Sequence, residues 1–266
     1  MRSFIIALQF LTRLRLRNIT DASAAEFGAS TRWFSLVGVV LGLFYGVISV
    51  LLTLRWWTSG SLHELMPEVS TVILLLLPVL FTGGLLYDGF MDTTDGVFSG
   101  RERERRLEIM KDSRVGSFGV IAFVSLMLLD YALLHDIRMV LLPLAVYCMP
   151  IIGRAGMTLV IALFPYARPQ GMGKAFAEAA DGRTLIVSLL IAALFTGLTG
   201  PVGLIALLTG CAVSFLLGAW LTHSLGGVTG DAYGAAEALT ETSVLIVWLL
   251  AGSLPLGLQS LHIFWS

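Results

Sequence analysis

Three carboxylates stand close together in the run Asp88-Gly89-Phe90-Met91-Asp92-Thr93-Thr94-Asp95-Gly96, at the end of a hydrophobic segment. Spacings of four and three put Asp88, Asp92 and Asp95 on one helical face, within an arc of about 60° at ~100° per residue. Like charges this close repel, and near lipid each costs roughly 2.5 to 3.5 kcal/mol on insertion scales. A cation or a proton offsets that cost. Hard cations such as Mg²⁺ take carboxylate oxygens, keep several waters and share substrate phosphates. No His or Cys stands nearby to suggest zinc. A divalent metal held by Asp88, Asp92 and Asp95 is therefore the leading reading. A cation or proton relay in a transporter, or carboxylates solvated beyond the bilayer edge, are the competing ones.

A second polar run reads Gly226-Gly227-Val228-Thr229-Gly230-Asp231-Ala232-Tyr233-Gly234-Ala235-Ala236-Glu237, with Glu241 one turn later. Glycines let a backbone approach a phosphate, and amides at a helix start favour anions. Asp231 is expected to cap that helix, or to add a metal oxygen. Glu237 and Glu241 share a face and lie in or beside an apolar span, where carboxylates need a partner such as a metal or Arg154. Arg154 itself sits inside an apolar stretch and is a functional-site candidate for that reason.

Two basic segments add candidates. Lys111 and Arg114 follow the charge run Arg101-Glu102-Arg103-Glu104-Arg105-Arg106 and precede Val115-Gly116-Ser117-Phe118-Gly119. They could hold phosphate oxygens, Arg as a fork and Lys as a point charge, or simply set topology. The charge run itself reads as a solvated helix face. Arg168, Gly171, Gly173 and Lys174 form a segment with the wrong spacing for a P-loop; a mobile basic loop over a phosphorylated ligand is one reading, and an ordinary loop is the plainer one. His63, His135 and His262 read as outer-face surface residues, and His223 has no evident partner. Cys148 and Cys211 fall inside apolar stretches and read as core residues.

The elements that must position these groups are membrane spans. The chain is 56% hydrophobic and only 13% charged, whereas soluble domains run nearer ~25% charged. This indicates an all-α, polytopic transmembrane bundle forming one integral membrane domain over residues 1–266. About seven stretches suit a ~30 Å hydrocarbon layer: Trp33 to Leu54, Glu68 to Tyr87, Ser117 to Leu134, Met139 to Phe164, Thr184 to Thr199, Pro201 to Thr222 and Gly234 to Gly252. The fifth and sixth meet at Gly200-Pro201, where a re-entrant pair is an alternative. On this topology fourteen Lys and Arg residues lie on one side and two, Arg55 and Arg138, on the other. The positive-inside rule then predicts a cytoplasmic N-terminus. Residues 1–17 read as an amphipathic arm on the inner leaflet, and 88–116, 165–183 and 223–233 as cytoplasmic functional segments.

These residues together resemble a known family. Asp88-Gly89-x-x-Asp92-x-x-Asp95-Gly96, Leu107-Glu108-Ile109-Met110-Lys111-Asp112-Ser113-Arg114-Val115-Gly116 and Gly226-Gly227-x-Thr229-Gly230-Asp231-x-x-Gly234-Ala235 are similar to motifs of the cobalamin synthase family. Its members are adenosylcobinamide-GDP ribazoletransferases, also called cobalamin 5′-phosphate synthases. The similarity runs from Ala7-Leu8-Gln9-Phe10-Leu11-Thr12-Arg13 to the Glu237 region.

The resemblance implies a Mg²⁺-dependent enzyme of a prokaryotic inner membrane, its site facing the cytoplasm. The implied reaction joins α-ribazole, or its 5′-phosphate, to adenosylcobinamide-GDP, with release of GMP. Asp88, Asp92 and Asp95 would then bind metal against the diphosphate. Lys111 and Arg114 would stabilise the leaving GMP, and Asp95 or Asp231 would accept the ribazole proton. Arg154, Gly227, Thr229, Gly230 and Glu237 are the further expected substrate contacts. The partners expected are these substrates and the bilayer, without nucleic acid, and a homo-oligomer is compatible. Two departures stand out: Leu86 occupies a position where the family usually has His, and Leu14-Arg15-Leu16-Arg17 lacks the usual proline. No catalytic role for that His carries over. A prenyl- or CDP-alcohol-type transferase and a cation-coupled transporter are the alternatives.

Overall fold

The computed structural model describes residues 2–17, 19, 22–58 and 66–253; His63 and His262 lie outside the described residues. The chain forms α1 (Arg2–Leu11), α2 (Ala24–Ser30), a 3-10 turn (Thr31–Trp33), α3 (Phe34–Thr58), α4 (Met66–Thr82), α5 (Leu85–Phe98), α6 (Arg103–Ile109), α7 (Ser117–Asp136), α8 (Leu142–Leu163), α9 (Met172–Ala179), α10 (Gly182–Gly197), α11 (Pro201–Leu225) and α12 (Gly230–Ser253). No named strand occurs among the described residues. Five stretches are long and apolar enough to cross a membrane: Ala24–Thr53, α7, α8, α11 and α12. Two bent pairs, α4 with α5 at 90° and α9 with α10 at 98°, raise the number to as many as seven. Five of the seven expected spans correspond to α3, α7, α8, α11 and α12; the other two fall on α4 and α10, which qualify only with their bent partners, and the expected span Glu68 to Tyr87 breaks at Gly83-Gly84. The junction at Gly200-Pro201 separates two distinct helices.

Lipid dictates this architecture. A chain in hydrocarbon must satisfy its backbone internally, which helices do. α8 is the central helix, packed against α3, α10, α11 and α12, and Ala145, Cys148, Ile151, Ile152 and Ala155 on it are fully covered. Outward, Leu43, Val47 and Leu51 on α3, Leu190 and Leu194 on α10, and Leu208 and Leu216 on α11 are exposed. Acyl chains cover such a band; water would not tolerate it. Between helices, close approach replaces the hydrophobic effect as the source of attraction. Gly38 and Gly42 of α3 lie on the α8 backbone at Pro150 and Tyr147, where a Cβ would overlap carbonyl oxygens. Hydroxyl pairs tie further helices, Ser35 to Ser188 and Ser214 to Thr240, each at 2.6 Å.

Two irregular segments aim the polar residues. Gly83 (φ +70°) and Gly84 (φ +78°) make consecutive left-handed turns between α4 and α5, a conformation that costs side-chain-bearing residues about 1–2 kcal/mol each. Before α12, the loops at Pro165–Ala167 and Val228 pair by Ala167 N–H to Val228 O and Val228 N–H to Pro165 O, both 2.8 Å. The N-terminal arm departs from expectation. It is helical only to Leu11, and Ile6, Ala7, Leu8 and Leu11 are buried, with α1 packed against α2 and α3. Its apolar face therefore meets protein.

Candidate active site

The Asp face of α5 exists, but its three carboxylates are treated differently. Asp88 is exposed and Asp92 half-buried. Among the described residues no side-chain hydrogen bond or ion pair engages either carboxylate. Asp88, Asp231 and Asp95 all act electrostatically on Asp92, so α5 and α12 bring four like charges to one region. Asp95 is buried, and its two oxygens accept the N–H groups of Gly116 and Gly119, each at 2.8 Å. Those amides open α7, which has no side-chain cap of its own. A Cβ on Gly116 or Gly119 would overlap the Asp95 carboxylate. The glycines of the Val115-Gly116-Ser117-Phe118-Gly119 run thus make room for it.

Asp95→Ala should therefore lower stability by about 1–3 kcal/mol, because two buried amides lose a charged acceptor at a helix N-terminus. The measurement is thermal unfolding in detergent. An unchanged unfolding temperature would rule out this anchoring role.

Asp231 comes to the same region from the first turn of α12. The expected cap is a different residue: Thr229 Oγ1 accepts the Ala232 N–H at 3.2 Å. Asp231 is free for another contact and accepts from Arg168 NH2 at 2.7 Å. Asp88, Arg168 and Asp231 line one cavity of about 260 Å³, walled by Phe10, Phe176 and Tyr166. Its aromatic wall is a cluster from four elements, with Phe10 and Phe176 centroids 4.8 Å apart and Phe27 and Phe34 beside them. Leu86, the departure from the usual His of the resembled family, also lines this cavity and presents an aliphatic group to it.

The remaining expected contacts lie apart from this cavity or serve its walls. A Cβ on Gly227 would overlap Pro165 O and crowd Ala167 N, and one on Gly173 would crowd the Gly230 backbone. Gly227 and Gly173 thus permit loop-to-loop contact, while a Cβ on Gly230 would meet only ordinary van der Waals neighbours. Thr229 is fully buried. Lys111 and Arg114 do not line this cavity. Arg114 is 87% exposed and paired with Asp112 at 2.7 Å, and its side-chain and backbone hydrogen bonds hold the Asp112 carboxyl down at about 2. Arg154 and Glu237 are fully buried in the bundle and pair at 2.7 Å, with Glu241 at 2.5 Å from the same nitrogen. The charge run is only partly solvated: Arg103 Nε donates to Leu225 O at 2.6 Å and Arg106 NH1 to Ser224 Oγ at 2.7 Å. These bonds satisfy the end of α11, as cations do at helix C-termini.

Sequence reasoning placed Arg168 in a basic loop that could cover a phosphorylated ligand but gave it no partner, and it assigned no role to Phe10 or Phe176. Arg168 lay in one of the three polar segments, which was the available signal. Its partner is 63 residues away, and no local pattern announces such a pair.

Among the described residues no group of three His, Cys, Asp or Glu side chains is placed to hold a metal unaided. Asp88 and Asp92, one helical turn apart, offer the unengaged oxygens. Such a pair suits a cation that also takes water and substrate phosphate.

Comparison with known proteins gives the site a context. The chain is 37% identical over 253 residues to adenosylcobinamide-GDP ribazoletransferase of Desulfitobacterium hafniense, covering 92% of this chain and 96% of that one. The proteins of the same name from Clostridium acetobutylicum and Escherichia coli are 33% and 36% identical, over 92% and 93% of this chain and 94% and 98% of theirs. No solved structure matches. A family model described as cobalamin-5-phosphate synthase matches residues 3–249, a range that holds α5, the loop at Arg168 and the start of α12. With the motifs and nearly the whole length matched, the chain belongs to the cobalamin-5-phosphate synthase family.

Proposed function

We propose that this protein joins α-ribazole, or its 5′-phosphate, to adenosylcobinamide-GDP, releasing GMP and forming adenosylcobalamin or its 5′-phosphate. The relatives' names supply the substrates. The observation that carries the reading is the convergence of Asp88, Arg168 and Asp231 on one cavity with aromatic walls. Transfer between a diphosphate and a hydroxyl depends mostly on positioning and charge neutralisation.

The donor set fits Mg²⁺: carboxylate oxygens alone, two of them unengaged. Asp88 and Asp92 would hold it, and it would supply neutralisation of the diphosphate charge. The rest falls to the chain. The planar base of ribazole lies against the aromatic wall, where ring contacts favour it. The apolar lining keeps water from competing with the ribazole hydroxyl for the phosphorus. Asp231 accepts the hydroxyl proton, and Arg168 holds its carboxylate in place. Asp95 is the weaker candidate for that step, with both oxygens bonded to amides. The bias of Lys and Arg supports a site on the cytoplasmic side, where charged, soluble substrates reach it, and the membrane in this reading is a prokaryotic inner membrane.

The test is GMP release from adenosylcobinamide-GDP by purified protein in liposomes, with and without α-ribazole and Mg²⁺. Release that needs both is the expected result. Folded protein that releases no GMP under any condition contradicts the reading.

A further inference from the structure

The geometry points to Arg13 and Arg15 as the residues that hold the nucleotide phosphate, in a basic cavity that meets the aromatic one at Asp88. This rests on the transferase reading above. The second cavity measures about 500 Å³ and is lined by Thr12, Arg13, Arg15, Gly83, Gly84 and Asp88 among others. Both cavities include Phe10, Leu85 and Asp88. They differ in charge. In the aromatic cavity the guanidinium of Arg168 is neutralised by Asp231 at 2.7 Å. In the basic one, no carboxylate among the described residues pairs with Arg13 or Arg15. Among the described residues the one side-chain hydrogen bond of Arg13, to Gly83 O, is 3.5 Å long, at the limit for such a bond.

The arm is fixed where this requires it. Arg13 N–H donates to Phe81 O at 2.7 Å, joining the arm to the end of α4. A Cβ on Gly83 would overlap the Arg13 guanidinium, so the glycine turn is also the seat of the arginine. The start of α5, capped by no side chain, lines the same cavity at Gly84 and Leu85, and first-turn amides favour anions. Two guanidinium groups, each a fork of donors and neither paired with a carboxylate among the described residues, suit a phosphate.

The arrangement also orders the reaction. The ribazole oxygen, arriving from the aromatic cavity, bonds to the cobinamide-linked phosphorus. The bond from that phosphorus to the bridging oxygen breaks on the opposite side. The bridging oxygen keeps the electron pair and leaves as part of GMP toward Arg13 and Arg15, while the hydroxyl proton passes to Asp231. Entry and departure then use different cavities, as an in-line displacement demands.

A lipid headgroup phosphate presents the same chemistry to an arginine, so the test separates the two sources. GMP binding is measured by calorimetry for wild type, Arg13→Ala, Arg15→Ala, Arg13→Lys and Arg17→Ala, in nanodiscs of phosphatidylcholine and of phosphatidylglycerol. The alanine variants should weaken GMP about 10- to 100-fold in both lipids, with Arg13→Lys between them and wild type. Arg17→Ala, on the same arm but outside the cavity lining, should bind as wild type does. In turnover, KM for adenosylcobinamide-GDP should rise with GMP Kd, while KM for α-ribazole stays within about twofold. Unchanged GMP affinity, a loss seen only in phosphatidylglycerol, or an equal loss for Arg17→Ala would each overturn the proposal. Absent turnover in wild type would instead count against the transferase reading, because GMP binding is measured without it.

Discussion

Asp92→Asn should give a correctly inserted protein whose turnover falls by about 10³-fold, since a metal's charge stabilisation amounts to several kcal/mol and each 1.36 kcal/mol is a factor of ten. The amide keeps the shape of the carboxylate but is a poor ligand for a hard cation. The more diagnostic half of the prediction concerns stability. Burial first, and then the charges of Asp88, Asp231 and Asp95, disfavour the ionised Asp92 carboxylate, so removing its charge relieves the fold. The unfolding temperature should stay level or rise while activity collapses, which is how a strained functional group behaves. Asp95→Ala should show the opposite pattern in stability. Near-normal turnover of Asp92→Asn at saturating Mg²⁺ would remove Asp92 from the site.

Arg154→Ala should cost stability on the order of 3–5 kcal/mol, the penalty for leaving uncompensated charge in a buried site. Arg154 joins α8 to α12 through Glu237 and Glu241, and both helices belong to the centre of the bundle. Without the guanidinium, two carboxylates repel each other where water does not reach. The check is denaturant unfolding in mixed micelles. Replacing all three together, as Arg154→Met with Glu237→Gln and Glu241→Gln, should recover most of the loss, because no lone charge is left buried. A mild phenotype for Arg154→Ala, or no recovery in the triple variant, would contradict the ion-pair account. KM for either substrate should change little in the triple variant, since Arg154 and Glu237 line neither cavity.

These contrasts show what local pattern can and cannot reveal. Arg154 looked like a substrate ligand because an intramembrane arginine needs an anion, and that demand was legible from its apolar neighbours. Glu237 and Glu241 were legible as candidate partners too; that they, and not a substrate phosphate, meet it was not. Helix rotation and packing turn Glu237 and Glu241 toward it, and the demand is met inside the bundle. The charge run before α7 looked solvated because alternating signs suit a wet helix face. Two of its arginines instead satisfy the last turn of α11, a partner more than a hundred residues further on.

The sequence by itself determined that the chain is a helical membrane protein, roughly how often it crosses, and that Asp88, Asp92 and Asp95 share a face. Each follows from a local rule: hydrocarbon thickness sets the length of an apolar run, and the helical repeat sets the direction of side chains. Only the tertiary structure decided that Asp95 anchors α7, that Thr229 rather than Asp231 caps α12, and that Arg168 meets Asp231. It alone brought Arg13 and Arg15 to the lining of the same cavity as Asp88. Those outcomes depend on how each helix is rotated about its axis and how closely glycines let it approach its neighbours. Such choices are made by packing among residues far apart in the chain.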